Sequence, residues 1–418
     1  MATRRRPPLL SSVEAAARLG VQRETLYSYV SRGLLTPIRI GRTSAFKPAA
    51  VEALRRHHAR TRRSSRADGM AVPIPSRITR IEDDLLWFRG YRADDLVRGG
   101  WRYEAVAELL WTGALAKSAA WPVDGALARR VQRTQAQLPA STPAIDRLRA
   151  TAVLASALDE ARADLAPASV TAKARRLLPL LVISLPRRGK SSVESPRASI
   201  ADRLWSRLSA RRCSPAFRAV LNAALLLLAD HELATATVGA RVAASTRADP
   251  YAVLQAALGV AAGALHGTAS ILAFELLQRV VNEGVAPDDA LTELGPPPSE
   301  PYAVPGFGHV VYVRDPRAPL LLELLARAAP RRPLERIHAL RAAVHRRTGL
   351  EPNVDFGLAA LAVCAQMDRQ AGPAIFAIAR CAGWWAHALE EWGEAPLRFR
   401  LTSQYLGPRG SRPPGRVD

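Results

Sequence analysis

The chain has 418 residues, 48% of them hydrophobic, enough for more than one domain and a sizeable core. Its three cysteines, Cys213, Cys364 and Cys381, are scattered and form no C-x-x-C, which argues against a disulfide framework or a zinc site and for a reducing cytoplasm. The formal net charge of +22 points to an anionic partner, and the opening "MATRRRPPLL" lacks the apolar run of a secretory signal.

The charge is concentrated at the front. Residues 1–66 hold 15 Lys/Arg and 3 Asp/Glu, a net +12, whereas the other 352 residues share +10. In this stretch Ser11 and Glu14 have the spacing of a capping box, and Val13, Ala16 and Leu19 predict one apolar helix face. Gly20 ends that helix. "RETLYSYVSRG" predicts a second one, with Leu26 and Val30 facing in. Two extended pieces around Gly41-Arg42 follow, then a third helix, "KPAAVEALRRHHAR". The pattern resembles the winged helix-turn-helix of the MerR and excisionase type over residues 1–62. That resemblance implies DNA contacts from Arg23, Thr25, Tyr27 and Ser28 on the second helix and from Arg39 and Arg42 on the wing. The plainer reading is a small basic helical domain that docks on protein. Residues 63–76 then read as a Gly- and Pro-containing linker.

Beyond the linker the chain predicts an all-α body. "RITRIEDDLLWFRGYRADDLV" alternates at Ile78 and Ile81 and predicts a small sheet. Helices are expected over "GGWRYEAVAELLWTGAL", over "SPAFRAVLNAALLLLADHE" up to His231, and over "DPYAVLQAALGVAAGAL" up to His266. "APLLLELLARAA", "ERIHALRAAVHRRTG", "FGLAALAVCAQM" and "AIFAIARCAGWWAHALEEW" predict four more. Residues 116–215 read as Ala- and Arg-rich helices without distinctive chemistry. The uncharged run at 250–274 is long enough to cross a bilayer but contains Pro250, Gln255 and His266, and reads as buried core.

Several motif fragments fail on physical grounds. Gly189-Lys190-Ser191 lacks the first glycine of a phosphate loop, Ser184 standing in its place. "GFGHVV" lacks the third glycine and following helix of a dinucleotide fingerprint. "HELAT" lacks the second histidine of a zinc-protease helix, and the adjacent His57 and His58 point apart.

Three segments place a polar residue at a helix end or Gly-rich turn inside apolar sequence: "GALHGTAS" around His266, "PGFGHVVYVRDPRA" around His309 and "PNVDFGLAAL" around Asp355. Each alone reads as a satisfied buried group, and Asp355 as the cap of its helix. Together with "LADHELATATVGARVAAST" and "WFRGYRADDL", in this order, they resemble the citrate synthase family over residues 78 to 408. The resemblance implies a two-domain helical enzyme, with a large domain of 77–266 and 373–418 and a small domain of 267–372. It also implies a homodimer with its site in a cleft. It assigns Asp355 as the base that deprotonates the acetyl-CoA methyl, His266 as donor to the thioester oxygen and His309 as donor to the oxaloacetate ketone. His231, Arg317, Arg380 and Arg400 match the substrate-binding positions, Arg400 acting across the dimer. Acetyl-CoA is a substrate, no other cofactor or metal is expected, and neither is a membrane.

The sequence departs from the family pattern at four points. His309 and Arg317 lie one residue closer together, with Arg314 as an alternative fork; Val310 stands where arginine is frequent; "HGTAS" replaces H-G-G-A-N; and Leu401 and Thr402 replace Pro and Arg. Three alternatives accompany the citrate synthase reading. One is 2-methylcitrate synthesis from propionyl-CoA, because one extra methylene shifts binding by only ~1–3 kcal/mol. Another is a DNA-binding transcription regulator whose enzyme-like half senses acetyl-CoA or oxaloacetate. In the third, the front domain only mediates assembly.

Overall fold

A computed structural model describes residues 9–19, 25–27, 30, 35–40, 43–48, 51, 73–117, 121–189, 195, 197–294, 304–403 and 405–406. The chain divides into two compact units. One comprises residues 1–75 with 308–314, the other 76–307 with 315–418. Residues 267–372, apart from the 308–314 segment, therefore group with the rest of the helical body.

In the first unit, β1 (Leu10–Ser11) leads into α1 (Ser12–Leu19). The capping box forms as expected. The Ser11 amide and hydroxyl donate to the Glu14 carboxylate, and the Glu14 amide donates back to the Ser11 hydroxyl. The inward face differs from the expectation: Ala15 and Ala16 are buried, while Val13 is exposed. The expected wing is an antiparallel hairpin of β2 (Ile38–Ile40) and β3 (Thr43–Phe46), and β1 pairs on the far side of β3. Leu10, Ala16, Leu26, Leu35, Phe46 and Val51 form its core. Of the proposed DNA-contacting residues, Thr25 is half-buried and Tyr27 exposed. Arg23, Ser28, Arg42 and the Arg39 side chain lie outside the described residues, as do His57 and His58.

The second unit opens with the expected small sheet, an antiparallel meander of β4 (Thr79–Glu82), β5 (Leu85–Phe88) and β6 (Tyr91–Arg92). Alternation along β5 buries Leu86 and Phe88. Helices follow: α2 (Ala93–Arg98), α3 (Tyr103–Thr112), α4 (Gly125–Gln135), α5 (Ala144–Ala157), α6 (Pro167–Ser184), α7 (Ile200–Leu208), α8 (Pro215–Leu227) and α9 (Thr235–Ser245). The remainder are α10 (Pro250–Ala261), α11 (Ser270–Val281), α12 (Pro287–Glu293), α13 (Arg317–Ala326), α14 (Arg331–Thr348), α15 (Val354–Cys364) and α16 (Ala371–Trp392). Two expected helices stop early. α8 ends at Leu227, which leaves Asp230 and His231 in a loop, and α10 ends at Ala261, which leaves His266 in a run of turns. The uncharged run thus breaks into two short helices. Among the described residues no helix is long and apolar enough to cross a membrane.

Helix α16 is buried along almost its whole length. Side chains from elsewhere bind its backbone: the Tyr103 hydroxyl donates to the carbonyls of Ile378 and Ala379, and the Trp111 indole to that of Ala382. The chain after α8 crosses close to Gly383, whose amide donates to the Ala229 carbonyl at 2.9 Å. A Cβ at 383 would lie 2.7 Å from that carbonyl and closer still to the Asp230 carboxylate. Glycine here lets the His231 loop rest directly on α16.

A buried polar network ties this contact together. Asp230 Oδ2 accepts from the Thr79 hydroxyl at 2.6 Å and faces His387 Nε2 at 3.2 Å. His387 Nδ1 faces the Arg241 guanidinium at 2.9 Å. Since a guanidinium only donates, Nδ1 is the acceptor, and Nε2 carries the hydrogen given to Asp230. Arg241 donates in turn to Glu390 and Glu391, and Arg398 forks onto Glu391 at 2.6 Å from both nitrogens. Arg241 and Glu391 are both fully buried. Removing one partner of such a pair leaves a buried, weakly compensated charge. Glu391→Gln is therefore expected to cost about 3 kcal/mol and lower the melting temperature in calorimetry by several degrees; an unchanged melting temperature would refute this role for the network.

Candidate active site

The site is assembled from four chain segments that meet on α16. The first is the Asp230–His231–Glu232 loop. Strand β4 fixes it from one side, with the Ile81 amide donating to Glu232 at 2.7 Å, and Asp230 fixes it from below. His231 is 8% exposed.

The second segment is the turn after α10. His266 hydrogen-bonds through its backbone to Gly263 and Ala269 and is half-buried. Its ring meets Phe376 of α16 edge-on, with centroids 5.4 Å apart. His266 Nε2 accepts the Ala236 amide at 3.3 Å, at the start of α9. Burial first, and the nearby Arg380 charge second, push its pKa down to about 4. At neutral pH the imidazole is uncharged, and because Nε2 is an acceptor the hydrogen sits on Nδ1. The ring is thus a neutral donor.

The third segment runs from Gly306 into α15. Gly306 has φ +84°, and a Cβ there would meet Ala273 and Phe356 at 3.1 Å. Only glycine takes this turn without strain. Its carbonyl accepts the Asn353 amide at 2.9 Å, and Phe307 packs on Phe356 with centroids 4.8 Å apart. The plainer reading of Asp355 as a helix cap does not hold: it is the second residue of α15, and Asn353 is the cap, accepting from the amides of Asp355 and Phe356. Burial raises the Asp355 pKa to about 6, and the charges of Arg317 and Arg380 partly oppose this.

The arginines come from α16 itself and, as the fourth segment, from the start of α13. Arg380 is 2% exposed; its Nε donates to the Leu228 carbonyl at 2.7 Å, and its guanidinium lies over the Phe376 ring at 4.9 Å. It acts electrostatically on both His266 and Asp355, so it is their common neighbour. Arg317, also buried, grips both Asp315 oxygens through Nε and Nη2, each at 2.8 Å, and the oxygen that meets Nη2 also accepts the Val354 amide. The D-P-R segment is therefore pinned to the start of the helix that carries Asp355.

The structure brings His266, Asp355 and Arg380 together, with Arg317 beside Asp355 and His231 on the loop that rests on α16. His309 belongs to the other compact unit, in the 308–314 segment. Its Nδ1 accepts the amides of Val311 and Tyr312 at 3.0 and 3.3 Å, which leaves the ring hydrogen on Nε2. Arg314 is exposed in the same segment. Arg400 lies in the exposed stretch after α16. Four supporting residues escaped the sequence reading: Asp230, Asn353, Phe376 and Asp315. Two had a readable signal, Asn353 as an N-cap before an apolar run and Asp315 two residues before an arginine. No group of acidic, histidine or cysteine side chains that could hold a metal occurs among the described residues.

Comparison with known proteins agrees with this construction. The model of the citrate synthase C-terminal domain matches residues 69–400. Citrate synthase 2 of Bacillus subtilis is 32% identical, covering 81% of this chain and 94% of that protein. Citrate synthase of Haloferax volcanii is 31% identical over 79% and 93%. A 2-methylcitrate synthase of Mycobacterium tuberculosis is 29% identical over 78% and 86%. Among solved structures, citrate synthase of Thermoplasma acidophilum, in a ternary complex with carboxymethyl coenzyme A and oxaloacetate, superimposes with a TM-score of 0.67 at 21% identity. It covers 83% of this chain and 97% of its own. Citrate synthase of Thermotoga maritima gives a TM-score of 0.64 at 24% identity, over 82% and 95%. The ordered motifs, the helical fold and the extent of these matches lead to one conclusion: the chain belongs to the citrate synthase family and is a transferase of that type.

Proposed function

We propose that the enzyme joins acetyl-CoA to oxaloacetate and releases citrate and CoA, with Asp355, His266 and His309 performing the chemistry. What supports this reading is that a buried carboxyl, Asp355, and a half-buried, uncharged imidazole, His266, both lie within the electrostatic reach of Arg380. A thioester methyl is a poor carbon acid, so the carboxylate needs a donor at the thioester oxygen while the proton leaves. Asp355 takes that proton, and the Nδ1–H of His266 stabilises the enol oxygen. The enol carbon attacks the ketone of oxaloacetate, and His309 Nε2–H stabilises the oxygen that gains charge. Water then cleaves the citryl thioester and frees CoA. Citrate synthases use acetyl-CoA as substrate and need no further cofactor.

Arg380, His231 and Arg317 would hold the oxaloacetate carboxylates. Asp315 already orients the Arg317 guanidinium through Nε and Nη2. Arg400 would serve the site of the other subunit in a homodimer. The similarity to a 2-methylcitrate synthase makes propionyl-CoA the competing acyl donor. In the first unit, helix α1, the hairpin and the net +12 of residues 1–66 favour a DNA-binding role for the front domain, alone or under the control of substrate binding. Duplex binding that weakens steeply with salt in a fluorescence anisotropy titration supports this; no binding at low salt rejects it.

Purified protein is expected to release free CoA from acetyl-CoA and oxaloacetate, faster than from propionyl-CoA. Asp355→Ala should lower the rate by about 10²–10⁴-fold. A variant with unaltered turnover would remove Asp355 from the chemistry.

The raised pKa also fixes two pH dependences. The base must be ionised, so kcat/KM should fall as pH drops through about 6. The folded chain holds this proton more tightly than the unfolded chain does, so Asp355 contributes its full stability below about pH 4 and loses it as pH rises through about 6. Asp355→Asn should therefore melt higher than wild type at pH 8, with the advantage gone near pH 4. A constant difference across this range would contradict the assignment.

A further inference from the structure

Away from the site, a cavity of about 370 Å³ opens between α5, α6, α7 and the start of α16. That volume lies in the range of small-molecule pockets. Among the described residues its charged lining is Arg147, Arg188, Arg207 and Arg369 against one carboxylate, Asp368. Two of these arginines form its inner wall: Arg147 is 4% exposed and Arg207 is 6%.

Arg147 is the informative one. It donates to the carbonyls of Gln135 and Pro139 and to the Gln135 side-chain oxygen, all neutral acceptors. Burial alone depresses its pKa, with no carboxylate to offset it. A buried cation held only by neutral groups is costly unless an anion completes it. The backbone adds to the positive field. Helix α5 begins at Ala144, whose amide donates to the Gln370 side chain, and α16 begins immediately after Gln370. Both helix N-termini thus reach the same cavity. At the rim, Arg188 pairs with Asp368, whose carboxylate also caps the Gln370 amide, and Arg369 pairs with Glu275.

We propose that this cavity is a binding site for a phosphate-bearing small molecule, separate from the acyl-transfer site. The four guanidinium groups and two helix ends suit a compact polyanion better than a monoanion. Seated there, the ligand would rest on α16, the helix that carries Phe376 and Arg380. The same chemistry is presented by a free phosphorylated effector and by the phosphates of coenzyme A, and the test separates the two.

Full-length protein is titrated calorimetrically with inorganic pyrophosphate at low ionic strength, with and without saturating coenzyme A. One site per chain is expected, with affinity unchanged by coenzyme A. Arg188→Ala with Arg369→Ala, both at the exposed rim, should weaken it about tenfold or more while leaving CoA release intact. Asp368→Asn, which keeps the helix cap and removes the one lining carboxylate among the described residues, should tighten it. Absence of binding overturns the proposal, as does displacement by coenzyme A, which would make the cavity part of the substrate site. Affinity unchanged in all the variants overturns it as well.

Discussion

The site depends on one constraint: a carboxyl group at the start of α15 must be dry enough to be basic and close enough to positive charge to stay ionised. Burial pushes Asp355 up, and Arg317 and Arg380 hold it back. The surrounding structure fixes that balance. Asn353 caps the helix, so the Asp355 side chain is not consumed by capping. Asp315 partly neutralises Arg317 and ties it to the helix through the Val354 amide. A stronger arginine field would hold the carboxylate ionised but weakly basic; a weaker one would leave it protonated at neutral pH.

His266 shows the same logic with the opposite sign. Burial and the same Arg380 remove its charge, so in the proposed reaction it would act as a neutral hydrogen-bond donor. Arg380 therefore acts in two ways, favouring the charged carboxylate and the uncharged imidazole. Its position comes from α16, a helix buried along almost its whole length, and from the Leu228 carbonyl just before the His231 loop. Below this contact the chain Asp230–His387–Arg241–Glu391–Arg398 fixes the loop and the helix to each other. The geometry of the candidate site and the packing of the large helical body thus rest on the same buried polar groups.

Much of this was legible in the sequence where a residue's role is local. The capping box at Ser11 and Glu14, the hairpin around Gly41-Arg42, the alternation that made β4 and β5, and the apolar periods of α3, α13 and α16 all follow from spacing rules. The roles proposed for Asp355, His266 and His309 come only through resemblance, because a single histidine or aspartate at a helix end has many innocent uses. Helix ends were misjudged at Leu227 and Ala261 because apolar residues continue past the helix into a buried loop, where hydrophobicity no longer reports secondary structure. Val13 was assigned to the wrong face of a short helix whose small residues, Ala15 and Ala16, make the contact. Asp230, His387 and Arg241 could not have been linked in advance: they lie up to 157 residues apart and meet only after α16 packs.

The most direct test is a carbon-detected NMR titration of the side-chain carboxyl of Asp355, assigned by its loss in Asp355→Asn. The account predicts a midpoint at about 6 in the folded enzyme. A midpoint at the ordinary aspartate value, about 4, would mean that the carboxyl is solvated and that the balance of burial against the two arginines does not set its basicity.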